Sequence, residues 1–124
     1  MNEALTQEGK VMKEIKAYIK THKLSAVTKG LHEIENLTGV SVIEVKGFGR
    51  SRKKNNPDQI DDDWVFYVPH VKIEIVCLDE MVDQIVSTIQ KAAHTGLRGD
   101  GKIYISSVDE AIRIETGQRG EESV

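Results

Sequence analysis

A glycine-rich segment, TGLRGDGK at residues 95–102, contains the residues in this chain that are best suited to bind an anion. Gly96, Gly99 and Gly101 permit backbone conformations in which successive N–H groups converge on an oxyanion, and Lys102 adds a positive charge beside them. Such a segment is suited to hold a phosphate group. The same glycines are also typical of a helix C-cap followed by a tight turn, and the residues alone leave that alternative open.

The spacing from Gly96 to Lys102 satisfies the first part of the Walker motif, G-x-x-x-x-G-K. Ile103 stands where that motif requires a serine or threonine to bind magnesium. A Walker loop also runs from a strand into a helix, whereas this segment follows a helical pattern and precedes a strand-like one. The sequence therefore argues against a Walker nucleotide hydrolase but remains compatible with anion binding.

Two arginines are further candidates for contact with an anion. Arg50 follows the glycine-containing run VKGFG, and Arg113 interrupts the apolar run AIRI at residues 111–114. A charged side chain in an apolar run usually needs a partner. A solvated surface position is the alternative for each arginine.

The elements that must position these residues follow from hydrophobic periodicity. One helix is predicted from Ser25, as its N-cap, to the Leu-Thr-Gly run at 37–39, and a second helix is predicted after Asp79, also as an N-cap. Pro69 predicts a bend or an edge position for the third strand. The predicted strands cover residues 12–20, 40–45, 64–77, 102–106 and, as a short fifth strand, 111–114.

This order of elements is βαββαβ. Right-handed crossovers fold such an order into a four-stranded antiparallel sheet with both helices on one face. The predicted fold is therefore α+β, a ferredoxin-like sandwich. This architecture supports many unrelated functions, so function must be argued from the site.

The domain organisation is predicted from composition. Residues 1–11 are polar and precede the first strand-like pattern, so they are predicted to be a disordered N-terminal extension of a single domain at 12–124. The run at 51–63 contains one isolated apolar residue and changes from basic to acidic, which is typical of a long functional loop. The polar tail at 116–124 is expected to be flexible.

Overall composition excludes several classes of protein. Twenty acidic against seventeen basic residues give a formal net charge of −3, which argues against a dedicated nucleic-acid binder. Cys77 is the sole cysteine and lies in an apolar run, so it is predicted to be a buried small hydrophobe. No apolar stretch approaches the roughly 20 residues of a membrane span, and no signal peptide is evident. A cytoplasmic protein is expected.

Several separate motifs, in order on the βαββαβ pattern, resemble the nitrogen-regulatory P-II signal-transduction family. The resemblance extends from Met12 to the C-terminus. The motifs are VKGFGR at 45–50, PHVKIEI at 69–75, TGLRGDGKI at 95–103, AIRI at 111–114 and TG at 116–117.

The resemblance implies a homotrimeric, non-enzymatic adaptor that binds ATP, ADP or AMP in clefts between subunits. A protruding loop at 49–67 would dock on a membrane transporter, for ammonium or heavy-metal efflux, or on a metabolic enzyme. It also implies roles for individual residues. These are phosphate contact for Gly99, Asp100, Gly101, Lys102 and Arg113, a place at the loop base for Gly49 and Arg50, and contact with the adenosine part for Ser41, Val76 and Thr95.

Some residues depart from the family pattern. Ser51 replaces a glutamine and His70 a lysine that the family uses for 2-oxoglutarate, so typical 2-oxoglutarate sensing is not expected. Asp58 and Asp63 replace loop tyrosines, one of which is uridylylated in some members, so control by that modification is not expected. Glu115 stands where a second phosphate-binding arginine is frequent, which predicts that ADP or AMP binds better than ATP.

The altered loop also looks like the P-II branch associated with heavy-metal efflux pumps. Two alternative functions come from other classes. A slow ATPase would require a base and a water beside the terminal phosphate, and no residue pattern demands one. A metal-binding trimer of the divalent-cation-tolerance type would use histidines, but no two of them are spaced at i, i+4. The histidines are His22, His32, His70 and His94.

Overall fold

The structure is a computed structural model, and it describes residues 11–48 and 68–124. The elements follow the predicted βαββαβ order, with a 3-10 turn before each helix and another near the C-terminus. They are β1 (Met12–Lys20), α1 (Leu24–His32), β2 (Ser41–Gly47), β3 (Val68–Leu78), α2 (Val82–Ala93) and β4 (Lys102–Val108), with 3-10 turns at Thr21–Lys23, Asp79–Met81 and Gly120–Ser123.

The four strands form one sheet in the order β2-β3-β1-β4, and all neighbouring strands are antiparallel. The pairing register places Ile15 opposite both Ile75 and Ile105. In β2 the first residue, Ser41, lies opposite Glu74. The predicted ferredoxin-like α+β fold is confirmed.

The hydrophobic core lies between the helices and one face of the sheet. Alternate residues of β1, Ile15, Ala17 and Ile19, are buried there, as the two-residue period predicts. Cys77 is also buried in this layer, and burial raises the pKa of its thiol, which confirms the prediction of a buried small hydrophobe. The other core residues are Val27, Leu31, Ile34, Val71, Ile73, Ile75, Val82, Ile85, Ile89 and Ala93.

Both predicted helix caps are wrong. Ser25 lies inside α1, where Lys23 is the N-cap residue, and Asp79 begins a 3-10 turn that precedes α2. In each case the 3-10 turn makes a backbone bond at the helix start: the N–H of Leu24 donates to the Thr21 carbonyl, and that of Val82 to the Asp79 carbonyl. A side-chain cap is therefore not needed at either helix.

One strand prediction is also wrong, and another depends on the strand register. Residues 111–114 do not form a strand, because they make only an isolated bridge between Ile112 and Arg119 within a turn. Pro69 pairs with Lys46 of β2 but has no partner on β1, because the β1–β3 pairing ends at His70, so its position is a local edge although β3 is an inner strand. As the second residue of β3, it lies near the end of the ladder, where a missing N–H donor disturbs few neighbours.

Some predictions fall outside the described part of the chain. They concern residues 1–10 of the extension, the segment 49–67 and the first residues of the predicted third strand, 64–67. Within residues 11–48 and 68–124, no helix is long and apolar enough to cross a membrane.

Replacing Ile85 with alanine should lower the free energy of unfolding by about 2–5 kcal/mol, because the fully buried side chain would leave a cavity between α2 and the sheet. The exposed neighbour Ser87, changed to alanine, is the matched control and should shift stability by less than about 0.5 kcal/mol. Urea denaturation measures both values. Equal effects of the two variants would contradict the assigned core.

Candidate functional site

The glycine-rich segment is the connection between α2 and β4. After α2 ends at Ala93, His94 takes an extended conformation. The chain then passes through Gly96, Gly99 and Gly101, whose φ angles are 86°, 82° and 106°. Residues other than glycine rarely adopt such backbone angles, so the local conformation explains the glycine-rich sequence.

The loop enters β4 by passing very close to β1. A Cβ atom on Gly101 would overlap the backbone carbonyl oxygen of Tyr18. The next residue, Lys102, is paired directly opposite Tyr18. The close approach therefore requires glycine at position 101, and it fixes where the Lys102 side chain leaves the sheet.

The Asp100 carboxylate faces its own loop. Its Oδ2 accepts hydrogen bonds from the backbone N–H of Thr95 at 2.8 Å and of Gly96 at 3.3 Å. Its Oδ1 accepts one from the Thr95 hydroxyl at 2.5 Å and lies 3.2 Å from Lys20 Nζ. The Thr95 hydroxyl oxygen in turn accepts a bond from the N–H of Leu97 at 3.0 Å.

These bonds, the one from the Thr95 hydroxyl most of all, hold the pKa of Asp100 well below its usual range. A carboxyl group whose pKa falls on folding stabilises the folded state at pH values above its ordinary pKa of about 3.9. That contribution is lost only as the pH falls through the lowered value. The loop is therefore held by an ionised carboxylate at neutral and mildly acidic pH.

A groove of about 700 Å³ lies beside the loop, and we call it the loop-side groove. It lies between the end of β2, the start of β3 and the start of β4. Tyr18 and Tyr104 contribute aromatic walls, with ring centroids 6.1 Å apart. Lys46 and Lys102 contribute ammonium groups and His70 an imidazole, so the groove combines an apolar lining with two lysine cations.

A second groove, of about 580 Å³, lies at the opposite end of the sheet, and we call it the distal groove. Its walls are the segment after α1 and the last residues of β3. Because β2 begins opposite Glu74, residues 75–78 have no partner on β2. Alternate backbone groups of this segment therefore face the groove side without a strand partner there, and Val76 is 37% exposed.

The predicted site residues form two groups in one chain. Thr95, Gly99, Asp100, Gly101 and Lys102 lie together at the loop that precedes the edge strand β4. Ser41 and Val76 form the second group. Ser41 belongs to the other edge strand, β2. Val76 lies on β3, in the cross-strand row that contains Ser106 of β4, and Ser106 is four residues after Lys102. The two edge strands are about 14 Å apart, which is three strand spacings.

The remaining predicted residues belong to neither group. Arg113 is exposed in the turn after β4, where its backbone N–H donates to the Gln118 carbonyl at 2.9 Å. Gly49 and Arg50 lie outside the described residues. One chain therefore does not bring all the predicted nucleotide contacts together.

Sequence reasoning missed two residues that support the loop. Lys20 contacts Asp100, and Tyr18 supports Gly101 through its backbone. Both lie on β1, about eighty positions earlier in the chain. Their alternation with apolar residues indicated a solvent-facing side of a strand, and only the pairing of β1 with β4 reveals their proximity to the loop.

The four histidines do not cluster. His22 lies in the first 3-10 turn, His32 ends α1 and His70 lies in β3. His94 Nδ1 lies 3.6 Å from Asp100 Oδ2. In the part of the chain that the structure describes, no group of three or more His, Cys, Asp or Glu side chains is arranged to hold a metal ion.

The fold and the loop define a ferredoxin-like α+β protein with a glycine-rich anion-binding candidate at an edge strand. The family model described as Nitrogen regulatory protein P-II matches residues 12–118. The chain is 47% identical to the Nitrogen regulatory protein P-II of Rhodobacter capsulatus and 42% identical to that of Azospirillum brasilense. Each comparison covers 91% of this chain and 100% of the relative. The chain belongs to the P-II family.

Solved structures agree with this assignment. The chain is similar to Arabidopsis thaliana PII bound to citrate, with a TM-score of 0.74 and 30% identity over 98% of this chain and 99% of that one. It is also similar to the GlnK-ATP complex of B. subtilis, with a TM-score of 0.76 and 25% identity over 92% and 96%. The resemblance inferred from the motifs is thus confirmed.

Changing Gly101 to alanine should destabilise the fold by more than about 1 kcal/mol, because the new methyl group would overlap the Tyr18 carbonyl and the backbone conformation is strained for alanine. Gly39 is the matched control, since a Cβ there would meet nothing within 4 Å. Thermal unfolding compares the two variants. A Gly101→Ala protein as stable as the Gly39→Ala protein would contradict the close approach.

Proposed function

We propose that this protein is a homotrimeric, non-enzymatic regulator that binds adenine nucleotides in clefts between subunits. Nucleotide occupancy is transmitted to a partner through the segment 49–67. This proposal is supported by the division of the predicted nucleotide contacts in one chain between the β4 edge of the sheet and the edge formed by β2 and the end of β3 that has no β2 partner. Each edge supplies half of a cleft.

A cyclic trimer unites the two halves. In a head-to-tail ring, the β4 side of one subunit meets the β2 side of the next, and three identical interfaces close the ring. The phosphate half would come from the loop and Lys102. The adenosine half would come from Ser41 and Val76, with Arg113 approaching from the same subunit as Val76. Three chains then form three equivalent clefts.

Exposed apolar residues on the two sheet edges support this assembly. On β2, Val42 and Ile43 are exposed, and on β4, Tyr104 and Ile105 are exposed. Beyond β4, Ile114 is 98% exposed. Apolar surface at both edges of a four-stranded sheet is typical of a subunit that is covered by neighbours.

The chemistry of each half fits its part of an adenine nucleotide. The glycine loop and Lys102 are suited to phosphate oxygens. In the distal groove, the β3 edge at residues 75–78 presents backbone groups that can pair with the hydrogen-bonding edge of a purine. The 580 Å³ of that groove is in the range of small-molecule sites. A related protein, B. subtilis GlnK, is described as an ATP complex.

The position of the loop base supports signalling. The described chain stops at Phe48 and resumes at Val68, and both residues line the loop-side groove together with Gly101 and Lys102. A phosphate at Lys102 would therefore lie in the groove that Phe48 and Val68 line, and these two residues flank the segment 49–67 in the sequence. Binding can bias the conformations of that segment and change its affinity for a partner.

The partner proposed for this regulator is a membrane transporter, for ammonium or heavy-metal efflux, or a metabolic enzyme in the cytoplasm. The segment 49–67 would contact the partner, and residues 1–11 and 116–124 would take no part in that contact. Ser51 and His70, in place of the family's usual glutamine and lysine, support a regulator that does not respond to 2-oxoglutarate.

ADP or AMP is the proposed preferred ligand. Glu115 is exposed in the turn two residues after Arg113, where the family frequently has a second arginine. A carboxylate near a terminal phosphate repels it. In calorimetric titrations, ADP should therefore bind more tightly than ATP, and Glu115→Arg should reverse the order. An ATP affinity at least equal to that of ADP in the unmodified protein would contradict this preference.

Replacing Lys102 with alanine should weaken ADP binding at least tenfold, because a charge-assisted contact to phosphate would be lost. Lys29→Ala provides the control and should leave affinity unchanged, because Lys29 is exposed on α1 and lines neither groove. ATP, ADP and AMP are titrated with and without magnesium and 2-oxoglutarate. Absence of adenylate binding in the unmodified protein would contradict the proposed function.

The assembly can be tested by light scattering coupled to gel filtration. The expected mass is about 42 kDa, three times the 13.9 kDa of one chain. Ile105→Glu should shift the protein towards monomer by placing a charge on the exposed β4 edge, whereas Ser87→Glu on the outer face of α2 should not. A monomeric unmodified protein would contradict a cleft made by two subunits.

A further inference from the structure

The support for the glycine loop extends outside the loop, to Lys20 at the end of β1. Lys20 Nζ lies 3.2 Å from Asp100 Oδ1 and 3.3 Å from the Thr95 hydroxyl oxygen. Both charged side chains are largely shielded, with exposed fractions of 21% for Lys20 and 24% for Asp100. No nucleotide contact was predicted for Lys20 from the sequence.

We propose that Lys20, Thr95 and Asp100 form a latch that holds the glycine loop in its phosphate-binding shape. In this role Lys20 and the Asp100 carboxylate are positioning residues that act through the loop and do not touch the nucleotide. The inference rests on the proposed function, because it concerns the phosphate half of the same cleft.

The bonding of Asp100 explains why its carboxylate acts inside the loop. Its two oxygens accept three hydrogen bonds from Thr95 and Gly96 and also face Lys20. A carboxylate that pointed at a phosphate would instead repel it. By joining residue 100 to residues 95 and 96, the side chain closes the loop into a compact turn.

The side chain of Lys20 also supports the loop through its carbon chain. A Cβ built on Gly99 would lie 3.7 Å from Lys20 Cε, so the loop passes directly over the lysine. His94 approaches Asp100 from the α2 side, with Nδ1 3.6 Å from Oδ2, but its side chain is 61% exposed. Lys20 is therefore the more shielded cationic partner of Asp100 in the latch.

The two lysines next to the loop have different surroundings. Lys20 is neutralised by Asp100. Lys102 is exposed, and among residues 11–48 and 68–124 it forms no ion pair. A cation without an internal counter-charge is the better phosphate ligand, and a neutralised one is the better support. Lys102 therefore remains available to bind the phosphate of the ligand.

Three variants test the latch by calorimetry with ADP and adenosine: Lys20→Met, Asp100→Ala and the double variant. Each single change should weaken ADP binding about tenfold and leave adenosine binding within twofold, since only the phosphate half is disturbed. The double variant should be no weaker than either single variant, because both changes break the same contact. Lys20→Arg, which keeps the charge, should recover most of the affinity.

Lys16→Met is the matched control, because Lys16 lies on the same face of β1 and pairs with Glu14 at 4.0 Å, away from the loop. It should leave ADP affinity unchanged. If Lys20 were itself a phosphate ligand, Asp100→Ala would release it and strengthen ADP binding, which would overturn the latch. Equal losses of ADP and adenosine affinity would also overturn it, since they would indicate a general loss of structure.

Hydrogen exchange separates failure of the latch from failure of the proposed function. The N–H groups of Thr95, Gly96 and Leu97 donate to Asp100 or Thr95. Their exchange should accelerate at least tenfold in Asp100→Ala without any ligand, while amides of the β1–β3 ladder remain unchanged. Unchanged exchange at these three amides would overturn the latch even if adenylates bind. Faster exchange in a protein that binds no adenylate would refute only the proposed function.

Discussion

The antiparallel pairing of β1 with both β3 and β4 is the constraint on which the rest of the structure depends. It sets one face of β1 against the helices, where Ile15, Ala17 and Ile19 are buried. On the opposite face it places Tyr18 across from Lys102, so the entry into β4 passes over the β1 backbone. Since that approach admits only glycine at position 101, the same register fixes both the core and the glycine loop.

A four-stranded sheet with helices on one face leaves two edges and one face uncovered. In this chain the edges carry apolar residues, and the predicted nucleotide contacts are divided between them. In the proposed trimer, assembly and ligand binding are linked, because the interface that would cover the edges would also complete the cleft. Phe48 and Val68, which flank the segment 49–67 in the sequence, line the same groove as Lys102, and in the proposed function this groove connects the ligand to that segment.

The sequence was sufficient to predict the βαββαβ order and the buried faces of β1, α1, β3 and α2, because both depend on local periodicity. The sequence was insufficient to predict where the helices begin. Ser25 and Asp79 were predicted as side-chain caps, but backbone hydrogen bonds of 3-10 turns are found at both helix starts. The strand predicted at 111–114 has the composition of a strand but lacks a paired neighbour beyond one bridge. The support from Lys20 depends on strand register, which no local pattern specifies.

Complementation between two defective subunits tests whether each cleft is shared by two chains. Lys102→Ala damages the phosphate half, and Val76→Glu places a charge in the adenosine half. Each variant alone should bind ADP weakly. Trimers that contain both variants should regain high-affinity binding in a fraction of their clefts, because some interfaces unite two intact halves. Mixed trimers that bind no better than either parent would show that the cleft lies within one chain and would contradict the account.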